Sequence, residues 1–579
     1  MTLQGTISRS VALVGFKEKK LIVLAMIFQA SLAILDLVGI AALGLTTSIV
    51  INDKYPKLLL TLWPALQKDP FPNDGQISIL LALTVFLFLL RSFLSSILLN
   101  RTSKFLGSIS VKLSIKYSQL YFKQSLIEIA KDKPEQTAFS LGTAFTIAIL
   151  EVLGSLISLV AEFALLTSIV VLLLFINLGA AVLTITYFLL IFLLTNLVLR
   201  VRQQSLSLKR NQANIQATTD VILIQSNLRE ITLYNLLDKF LQRFGNTRRI
   251  ESASSQGIFI LNQIPKYIYE SSFYIGLAIT FIYLVITGSG ESATTQFAIF
   301  LAAGSRLMPS LVRIQNCIAT IHQADGPCEN MFCLVRKLNR NSAIPATKND
   351  ISTLVLREKS LITINNLEYS YTPKSLWKLQ IPQLNINFGD RILVAGESGS
   401  GKSTFVDLLL GLLTPTHGSI HYSSEILGSE DKINPGAIGY VPQRVNLFKG
   451  SVLENITFFG SEPDAKLKTE RILEKIALGP WLASLPRGVE TEIENFGTNL
   501  SGGQAHRIGV ARALYRDPRL LILDEPTSAL DSTTELRFID ELFQISSEVT
   551  IIAISHSAQM QQRFEKILEF KDGSVSIRA

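Results

Sequence analysis

Charged residues and cysteines are both scarce in this chain of 579 residues. Only 17% of its residues are charged, whereas soluble domains contain about 25%. The segment Ile77–Leu90 has no ionisable side chain at all. This shortage indicates a large membrane part rather than a wholly soluble protein. The three cysteines show no metal-ligand spacing with histidine, so we expect reduced packing residues rather than a metal site.

Acidic residues are the scarcer charge, with 46 Asp and Glu against 54 Lys and Arg, which gives a net charge of +8. A basic protein can bind nucleic acid, but no nucleic-acid recognition motif is present. The Lys and Arg residues instead gather beside apolar runs, as they do when they orient membrane helices. We therefore expect a membrane-embedded protein with no nucleic-acid partner.

Six apolar runs are long enough to cross a bilayer, which needs about 20 mostly apolar residues per helix. The basic N-terminus and the basic connections after the second and fourth runs predict that both termini are cytoplasmic. The first run is too long for the core of a signal peptide. The expected location is the inner (plasma) membrane of a bacterium. The runs are Leu21–Ile49, Ile77–Leu99, Ile147–Ile176, Ala180–Leu199, Tyr267–Ile286 and Phe297–Ile321.

A polar stretch then separates the membrane part from a different pattern. Beyond it, short β-rich runs such as Arg391–Ala395 and Leu520–Leu523 alternate with helical ones, which predicts a parallel α/β sheet. We therefore expect a multidomain membrane protein. Its predicted parts are an all-α transmembrane domain of about six helices at 1–335, a linker at 336–358 and an α/β domain at 359–579.

The run Gly396–Ser403 fits the phosphate-binding pattern G-x-x-x-x-G-K-[ST] in full. It follows an apolar strand and precedes a helical run, which is the context that the motif requires. Its glycines let backbone N–H groups surround phosphates at a helix N-terminus. Lys402 would neutralise the β- and γ-phosphates, and Ser403 would bind Mg²⁺. The pattern predicts that the α/β domain is a P-loop ATPase.

Two carboxylates, Asp524 and Glu525, follow the apolar run Leu520–Leu523. Beside a phosphate loop, Asp524 would lie near the Mg²⁺ ion, and Glu525 would polarise the water that attacks the γ-phosphate. The alternative is a strand that ends in two solvated acids. The presence of the phosphate loop makes that alternative the weaker interpretation.

The run Leu500-Ser501-Gly502-Gly503-Gln504 resembles the signature of the ATP-binding-cassette (ABC) ATPases. Further elements occur in the order of that family across residues 361–579. Gln443 resembles the glutamine of the Q-loop, and the run Ser528–Asp531 resembles the D-loop. His556 resembles the switch histidine, and Tyr371 resembles the aromatic residue that stacks on adenine.

The resemblance implies an ATPase that binds ATP and Mg²⁺. It implies catalytic roles for Lys402, Gln443, Glu525 and His556, and Mg²⁺ contacts from Ser403, Gln443 and Asp524. Nucleotide contacts are implied for Tyr371, Gly396, Glu397, Ser398, Gly399, Ser400, Gly401, Lys402, Ser403, Thr404, Ser501, Gly502, Gly503 and Gln504.

A membrane block followed by one such ATPase resembles an exporter-type half-transporter. In that family each ATP lies between the phosphate loop of one subunit and the signature of another, so a homodimer is expected, with a heterodimer as the alternative. A coupling helix is expected near Asn211–Thr219. One departure is the stretch Glu494–Gly497, where exporters often carry Gly-Glu.

Four basic residues inside or beside the predicted spans are candidate cargo contacts: Arg91, Lys266, Arg306 and Arg313. Arginine donates paired hydrogen bonds that fit phosphate groups. The alternative is that they pair with Asp36, Glu151, Glu162 and Glu270 or extend to the interface.

The runs Ser305–Ile314 and Leu228–Tyr234 are similar to stretches of bacterial lipid-linked oligosaccharide flippases. The resemblance implies an amphipathic, anionic, lipid-linked cargo. A peptide, lipid or multidrug exporter, and a nucleotide-dependent membrane regulator without transport, stay open as alternatives. A soluble cassette ATPase does not agree with the apolar spans.

Overall fold

The structure is a computed structural model that describes residues 3–52, 74–286, 291–343, 360–372, 377–428, 433–460, 462–494, 499–526, 532–545 and 549–578. The chain divides into two compact units, Met1–Ala343 and Ile344–Ala579. Each unit is treated below by itself.

The first unit is helical throughout its described residues, and its longest helices are rich in apolar residues that need a nonpolar surrounding. A π-helical segment, Ile147–Leu153, lies between α6 and α7. The helices are α1 Leu3–Leu13, α2 Phe16–Asn52, α3 Asp74–Phe122, α4 Leu126–Ala130, α5 Pro134–Leu141, α6 Thr143–Thr146, α7 Gly154–Ile176, α8 Leu178–Ser226, α9 Leu228–Leu233, α10 Leu237–Ile286 and α11 Glu291–Ala343.

Five stretches of the described residues are helical, long and apolar enough to cross a membrane. They contain the first five predicted spans in whole or in large part. The sixth predicted span lies in α11, which is the least apolar of the six, as expected from the sequence. The five stretches are Phe16–Gly39, Leu81–Phe122, Pro134–Phe175, Leu178–Ser226 and Leu237–Ile286.

The coupling helix predicted at Asn211–Thr219 is wrong, because these residues lie inside the unbroken helix α8. The chain reverses later, through Asn227, the short helix α9 and the residues around Asn235, whose φ is +53°. Few helix breakers precede Asn227, so backbone hydrogen bonding continues α8 for 49 residues.

Helix α11 ends at Ala343, so the first eight residues of the predicted linker, 336–343, are helical. The polar residues there were expected to form a linker, but Asn339, Arg340 and Asn341 continue the helix. The side chains of Asn339 and Arg340 are exposed. The remainder of the predicted linker, 344–358, lies outside the described residues.

The second unit contains a nine-stranded sheet among its described residues, in the order β4-β1-β2-β11-β10-β3-β9-β8-β5. Strands β10, β3, β9, β8 and β5 are mutually parallel. The strands are β1 Ser360–Tyr369, β2 Leu379–Asn387, β3 Arg391–Gly396, β4 His417–Tyr422, β5 Ile438–Val441, β6 Gly450–Ser451, β7 Glu492–Ile493, β8 Leu520–Asp524, β9 Thr550–Ile554, β10 Lys566–Lys571 and β11 Ser574–Arg578.

The predicted parallel α/β sheet is formed by these five strands, and it is extended by antiparallel pairs of β1 with β2 and β4, and of β10 with β11. A two-residue turn, Asp572-Gly573, joins β10 to β11 with φ values of +47° and +81°. An Asp-Gly pair with left-handed backbone at both positions closes a tight hairpin, which forces antiparallel pairing.

The parallel strands β3, β8 and β9 are buried along almost their whole length. Continuous apolar runs of this kind are typical of strands covered on both faces. Seven helices accompany the sheet in the described residues: α12 Lys402–Leu409, α13 Val452–Thr457, α14 Ala465–Lys475, α15 Gly479–Ser484, α16 Gly502–Leu514, α17 Ser532–Ile545 and α18 Ala558–Arg563.

Candidate functional site

The phosphate loop runs from the buried strand β3 to the N-terminus of α12, as the sequence predicts. Gly396 has φ +142°, and a Cβ atom there would collide with the backbone carbonyl of Phe570 on the neighbouring strand β10. Only glycine fits this position, because any side chain meets both a strained backbone and a close strand. The loop geometry thus follows from the packing of β3 against β10.

The Lys402 side chain folds back over this loop. Its Nζ atom donates hydrogen bonds of 2.7 Å to the carbonyl oxygens of Gly396 and Glu397. Burial lowers the pKa of Lys402, and the nearby Glu525 and Asp524 charges oppose that shift. The ammonium group is therefore held at the mouth of the loop, where an anionic ligand gains most from it.

An open cleft of about 540 Å³ lies in front of the loop. It brings together seven of the fourteen predicted nucleotide contacts and all four predicted catalytic residues. Gly396, Glu397 and Ser400 belong to the loop but not to the cleft lining. The described lining residues are Tyr371, Trp377, Ser398, Gly399, Gly401, Lys402, Ser403, Thr404, Gln443, Asp524, Glu525, Ile554 and His556.

The two carboxylates lie where β8 ends. Burial raises the pKa of Asp524, and the neighbouring Glu525 charge adds to the shift, while Tyr440 donates a hydrogen bond to Asp524 that opposes it. Glu525 has φ +48°, an uncommon conformation for a residue with a side chain. Its backbone N–H donates to the Ile554 carbonyl of β9 at 2.9 Å, which fixes the turn. Such strained positions concentrate at functional sites.

The Gln443 side chain reaches from the end of β5 to Glu525. Its Nε2 donates a hydrogen bond of 2.5 Å to one carboxylate oxygen of Glu525. Ser403, Gln443 and Asp524 all face the same cleft. Hydroxyl, amide and carboxylate oxygens are the hard ligands that Mg²⁺ prefers, so these three residues fit a Mg²⁺ ion.

Two aromatic side chains form one wall of the cleft. The Tyr371 and Trp377 rings stack with centroids 6.2 Å apart and an interplanar angle of 28°. The Tyr371 hydroxyl lies 3.0 Å from the Thr404 hydroxyl. Trp377 was not among the predicted nucleotide contacts. The signal for it in the sequence is a second aromatic residue six positions after Tyr371.

The signature residues lie apart from this cleft. Ser501 caps helix α16, where its hydroxyl accepts from the Gln504 N–H while the Gln504 side chain accepts from the Ser501 N–H. Ser501 and Gly502 are exposed, and neither is among the described residues that line the cleft. The predicted D-loop and residues 495–497 of the atypical stretch lie outside the described residues.

Three of the four candidate cargo residues form ion pairs in the first unit. Asp36, only 1% exposed, contacts Arg91 at 2.9 Å and Arg306 at 3.3 Å. Glu162 accepts hydrogen bonds from Arg313 and from the Ser310 hydroxyl. The alternative of pairing with acids is thus what the structure shows for the arginines.

Lys266 is not part of these pairs, and its ammonium group lies 5.8 Å from the centre of the Tyr267 ring. The structure therefore brings Arg91 and Arg306 together at one carboxylate and places Arg313 at a second. The described contacts give no link between Lys266 and either group.

The sequence profile of the ABC transporter family matches residues 379–528, a range that contains the phosphate loop and the two carboxylates of the cleft. This chain contains an ABC transporter ATPase domain. The resemblance inferred from the phosphate loop and signature is thereby confirmed.

Relatives extend the similarity. A probable ABC transporter ATP-binding/permease protein of Haemophilus influenzae is 30% identical over 287 residues, or 48% of this chain and 50% of that protein. An ATP-dependent lipid A-core flippase of Photorhabdus laumondii is 27% identical over 395 residues, or 66% of this chain and 65% of the flippase. The chain thus spans about half to two thirds of the length of these two relatives.

A solved structure covers nearly the whole chain. The bacterial Atm1-family ABC exporter with ATP bound aligns with a TM-score of 0.72 at 19% identity, over 97% of this chain and 94% of that one. The chain therefore has the fold of an ABC exporter, in which membrane helices and the ATPase domain belong to one polypeptide. It is an integral membrane protein.

Proposed function

We propose that the chain is one half of an ATP-driven exporter or flippase that moves an amphipathic, anionic, lipid-linked substrate. The observation that carries this proposal is the cleft at the phosphate loop. It gathers Lys402, Gln443 and Glu525 in an ATPase domain. The described residues of the same chain include five helical stretches long and apolar enough to cross a membrane. A nucleotide-dependent regulator without transport has less support, because every catalytic group is present.

The geometry supports hydrolysis at Glu525. Gln443 occupies one oxygen of the Glu525 carboxylate and leaves the other to accept a proton from a water molecule. That water attacks the γ-phosphorus as the bond to the β-phosphate oxygen breaks. Lys402 offsets charge on the phosphates. Mg²⁺ held by Ser403, Gln443 and Asp524 would neutralise further charge on them.

A second subunit is needed to complete the ATP site. The signature residues of one chain are exposed at the N-terminus of α16 and do not line its own described cleft. A helix N-terminus with free N–H groups favours an anion. We propose that Ser501, Gly502, Gly503 and Gln504 meet the ATP bound to a second copy, which makes a homodimer the simplest assembly and leaves a heterodimer as the alternative.

The proposed cargo follows from one relative and from the ion pairs of Arg91 and Arg306 with Asp36 and of Arg313 with Glu162, called the arginine pairs below. Arg91, Arg306 and Arg313 outnumber Asp36 and Glu162 by one charge, and this excess favours an anion between the helices. Lys266 stays a weaker candidate because it lies outside these pairs. The 27% identical relative is named a lipid A-core flippase, which agrees with a lipid-linked cargo.

Reconstitution tests this proposal. The purified chain is placed in phosphatidylcholine vesicles, and ATP hydrolysis is measured with added lipid-linked pyrophosphate glycans, peptides or drugs, beside the Lys402→Ala variant. The expected result is stimulation by the anionic glycan lipid only, and its ATP-dependent transfer between leaflets. Stimulation by peptides or drugs alone would identify the alternative exporter, and hydrolysis without transfer of any cargo would favour a regulator. We also propose that the chain lies in the inner membrane of a bacterium with its ATPase domain in the cytoplasm; in the vesicles, ATP added outside drives only chains whose ATPase domain faces outward.

A further inference from the structure

A second polar cavity lies within the first unit, next to the arginine pairs, and Gln29 lines both this cavity and the one that contains Asp36, Arg91 and Glu162. It is an open cavity of about 450 Å³ between helices α2, α3, α7 and α11 and the π-helical segment. Seven of its lining side chains are polar and capable of hydrogen bonding, yet only one of them is charged. They are Gln29, Thr102, Ser103, Glu151, Ser155, Ser158 and Thr320.

Glu151 is the charged member, and it lies in the π-helical segment Ile147–Leu153. A π-helical turn admits an extra residue and re-aims the side chains around it, and such turns are frequent at functional sites. Within the described residues Glu151 has no hydrogen bond or ion pair, and only a more distant charge, that of Arg210, acts on it. Asp36 and Glu162, by contrast, are both paired with arginine.

On each of these helices a polar lining residue of the cavity lies seven or eleven residues from a member of the arginine pairs. Gln29 precedes Asp36 by seven residues on α2, and Thr320 follows Arg313 by seven on α11. These separations correspond to about 10 Å along a helix.

On the other two helices the offset is eleven residues. Thr102 follows Arg91 on α3, and Glu151 precedes Glu162 across the start of α7. The separation along each helix is about 17 Å. With the N-terminus cytoplasmic, all four offsets point to the cytoplasmic side of the arginine pairs.

The lining predicts the chemistry of a ligand. One carboxylate, five hydroxyls and one amide offer both hydrogen-bond donors and acceptors, which suits a molecule rich in hydroxyl groups. A lone cationic group would use the carboxylate and leave six neutral groups unmatched, so an amine fits less well. A second phosphate would be repelled by Glu151.

We infer that this cavity binds the hydroxyl-rich headgroup of a cargo whose anionic group meets the arginine pairs. The inference rests on the proposed function, since it assigns two parts of one lipid-linked molecule to two sites. The spacing then sets the cargo class: an anionic linkage joined to a polyol or sugar that extends toward the cytoplasm, from about 6 Å at Ser158, four residues from Glu162, to about 17 Å at Glu151 and Thr102.

Cys317 provides a direct probe, because it lines the cavity and is partly exposed. Cys328→Ser and Cys333→Ser remove the other thiols. The rate of maleimide labelling of Cys317 is then measured without ATP, in phosphatidylcholine vesicles that contain one added lipid. Phosphatidylinositol carries an anion and a polyol, phosphatidic acid carries the anion only, and phosphatidylethanolamine carries an amine.

The expected result is that phosphatidylinositol slows labelling and reaches half-protection at a lipid fraction at least about fivefold lower than the other two lipids, the effect of roughly one net hydrogen bond on affinity. Glu151→Gln and Ser158→Ala should each abolish most of this protection. The matched controls are Glu270→Gln, an acid of α10 outside the cavity lining, and Thr167→Ala, a hydroxyl of α7 outside it.

Three outcomes would overturn the inference: equal slowing by phosphatidic acid, stronger slowing by phosphatidylethanolamine, or no slowing by any of the three lipids. The ATP-free readout separates this site from the proposed function. ATP-dependent transfer of anionic lipids without protection of Cys317 would refute the cavity alone. Protection without any ATP-dependent transfer would refute the transport function and leave the binding site in place.

Discussion

The nucleotide cleft and the arginine pairs hold their charges in opposite ways. In the cleft, Lys402, Asp524 and Glu525 face one open space and are bound chiefly to neutral groups. In the membrane unit, Asp36 is buried against Arg91 and Arg306. A charge that water reaches needs no protein partner before its ligand binds, whereas a charge buried among apolar helices does. The ATP site is therefore open to its ligand, and the arginines must exchange one anion for another.

The largest expected effect is at the open site. Glu525→Gln keeps the hydrogen bond to Gln443 possible but removes the proton acceptor, so the rate of ATP hydrolysis should fall about 100-fold or more while ATP still binds. Phosphate release and size-exclusion chromatography with ATP measure this, and we expect ATP-bound dimers to accumulate. Glu565→Gln, an exposed acid of the same unit, is the control. Rapid turnover by the Glu525 variant would show that another residue is the base.

Arg306→Ala tests the paired site. The variant removes one of two cations at Asp36 and a cation–π contact with Phe88. We expect the concentration of anionic lipid for half-maximal transport to rise about thirtyfold, the loss of one charged hydrogen bond. Leaflet transfer of labelled lipid, per ATP hydrolysed, is the measurement. Arg249→Ala, outside these pairs, is the matched control, and equal transport by the Arg306 variant and the parent would refute a role in cargo binding.

Trp377→Ala sharpens the description of the cleft. If the Tyr371 and Trp377 rings together form the adenine platform, loss of Trp377 should raise the KM for ATP about tenfold, in line with the free energy of base–aromatic stacking. The value of kcat should change little, because the ring lies against Tyr371 and Gly401 and carries no group that transfers a proton. Steady-state kinetics separate the two constants. Trp377→Phe should recover most of the affinity, and a lowered kcat with unchanged KM would contradict the stacking role.

The smallest expected effect concerns a buried neutral group. Burial lowers the pKa of His506 to about 4, and Arg507 adds to the shift. In the unfolded chain the same histidine titrates near 6.5. Between these values the unfolded state binds the extra proton, so stability falls as pH drops from 6.5 towards 4, by about 1 kcal/mol per pH unit.

Thermal melts of the full chain in detergent between pH 7 and 5 measure this dependence. His506→Gln should flatten it, because the side chain no longer titrates. His417→Gln changes an exposed histidine and should leave the dependence intact. A parent-like slope in the His506 variant would assign the effect to other groups.

The sequence predicted the cleft far better than the membrane unit. Lys402 and Ser403 are neighbours within one motif, and Asp524 and Glu525 end a buried strand, so short-range order and strand burial already imply their positions. Trp377 was not predicted because its role depends on the tertiary packing that brings it against Tyr371 and Gly401. The coupling helix was misplaced because apolar and polar residues alike continue α8 to Ser226, and no local signal marks the turn.

The sequence by itself determined the ABC ATPase domain, its phosphate loop and the apolar spans, because each depends on residues close together in the chain. The tertiary structure decided which charges meet. Asp36, Arg91 and Arg306 are distant in sequence and join only when α2, α3 and α11 pack. The same packing gathers Glu151 and hydroxyl groups from other helices around one open cavity. Burial then requires each charge to find a partner or a ligand, and that pairing has no signature in any local run of residues.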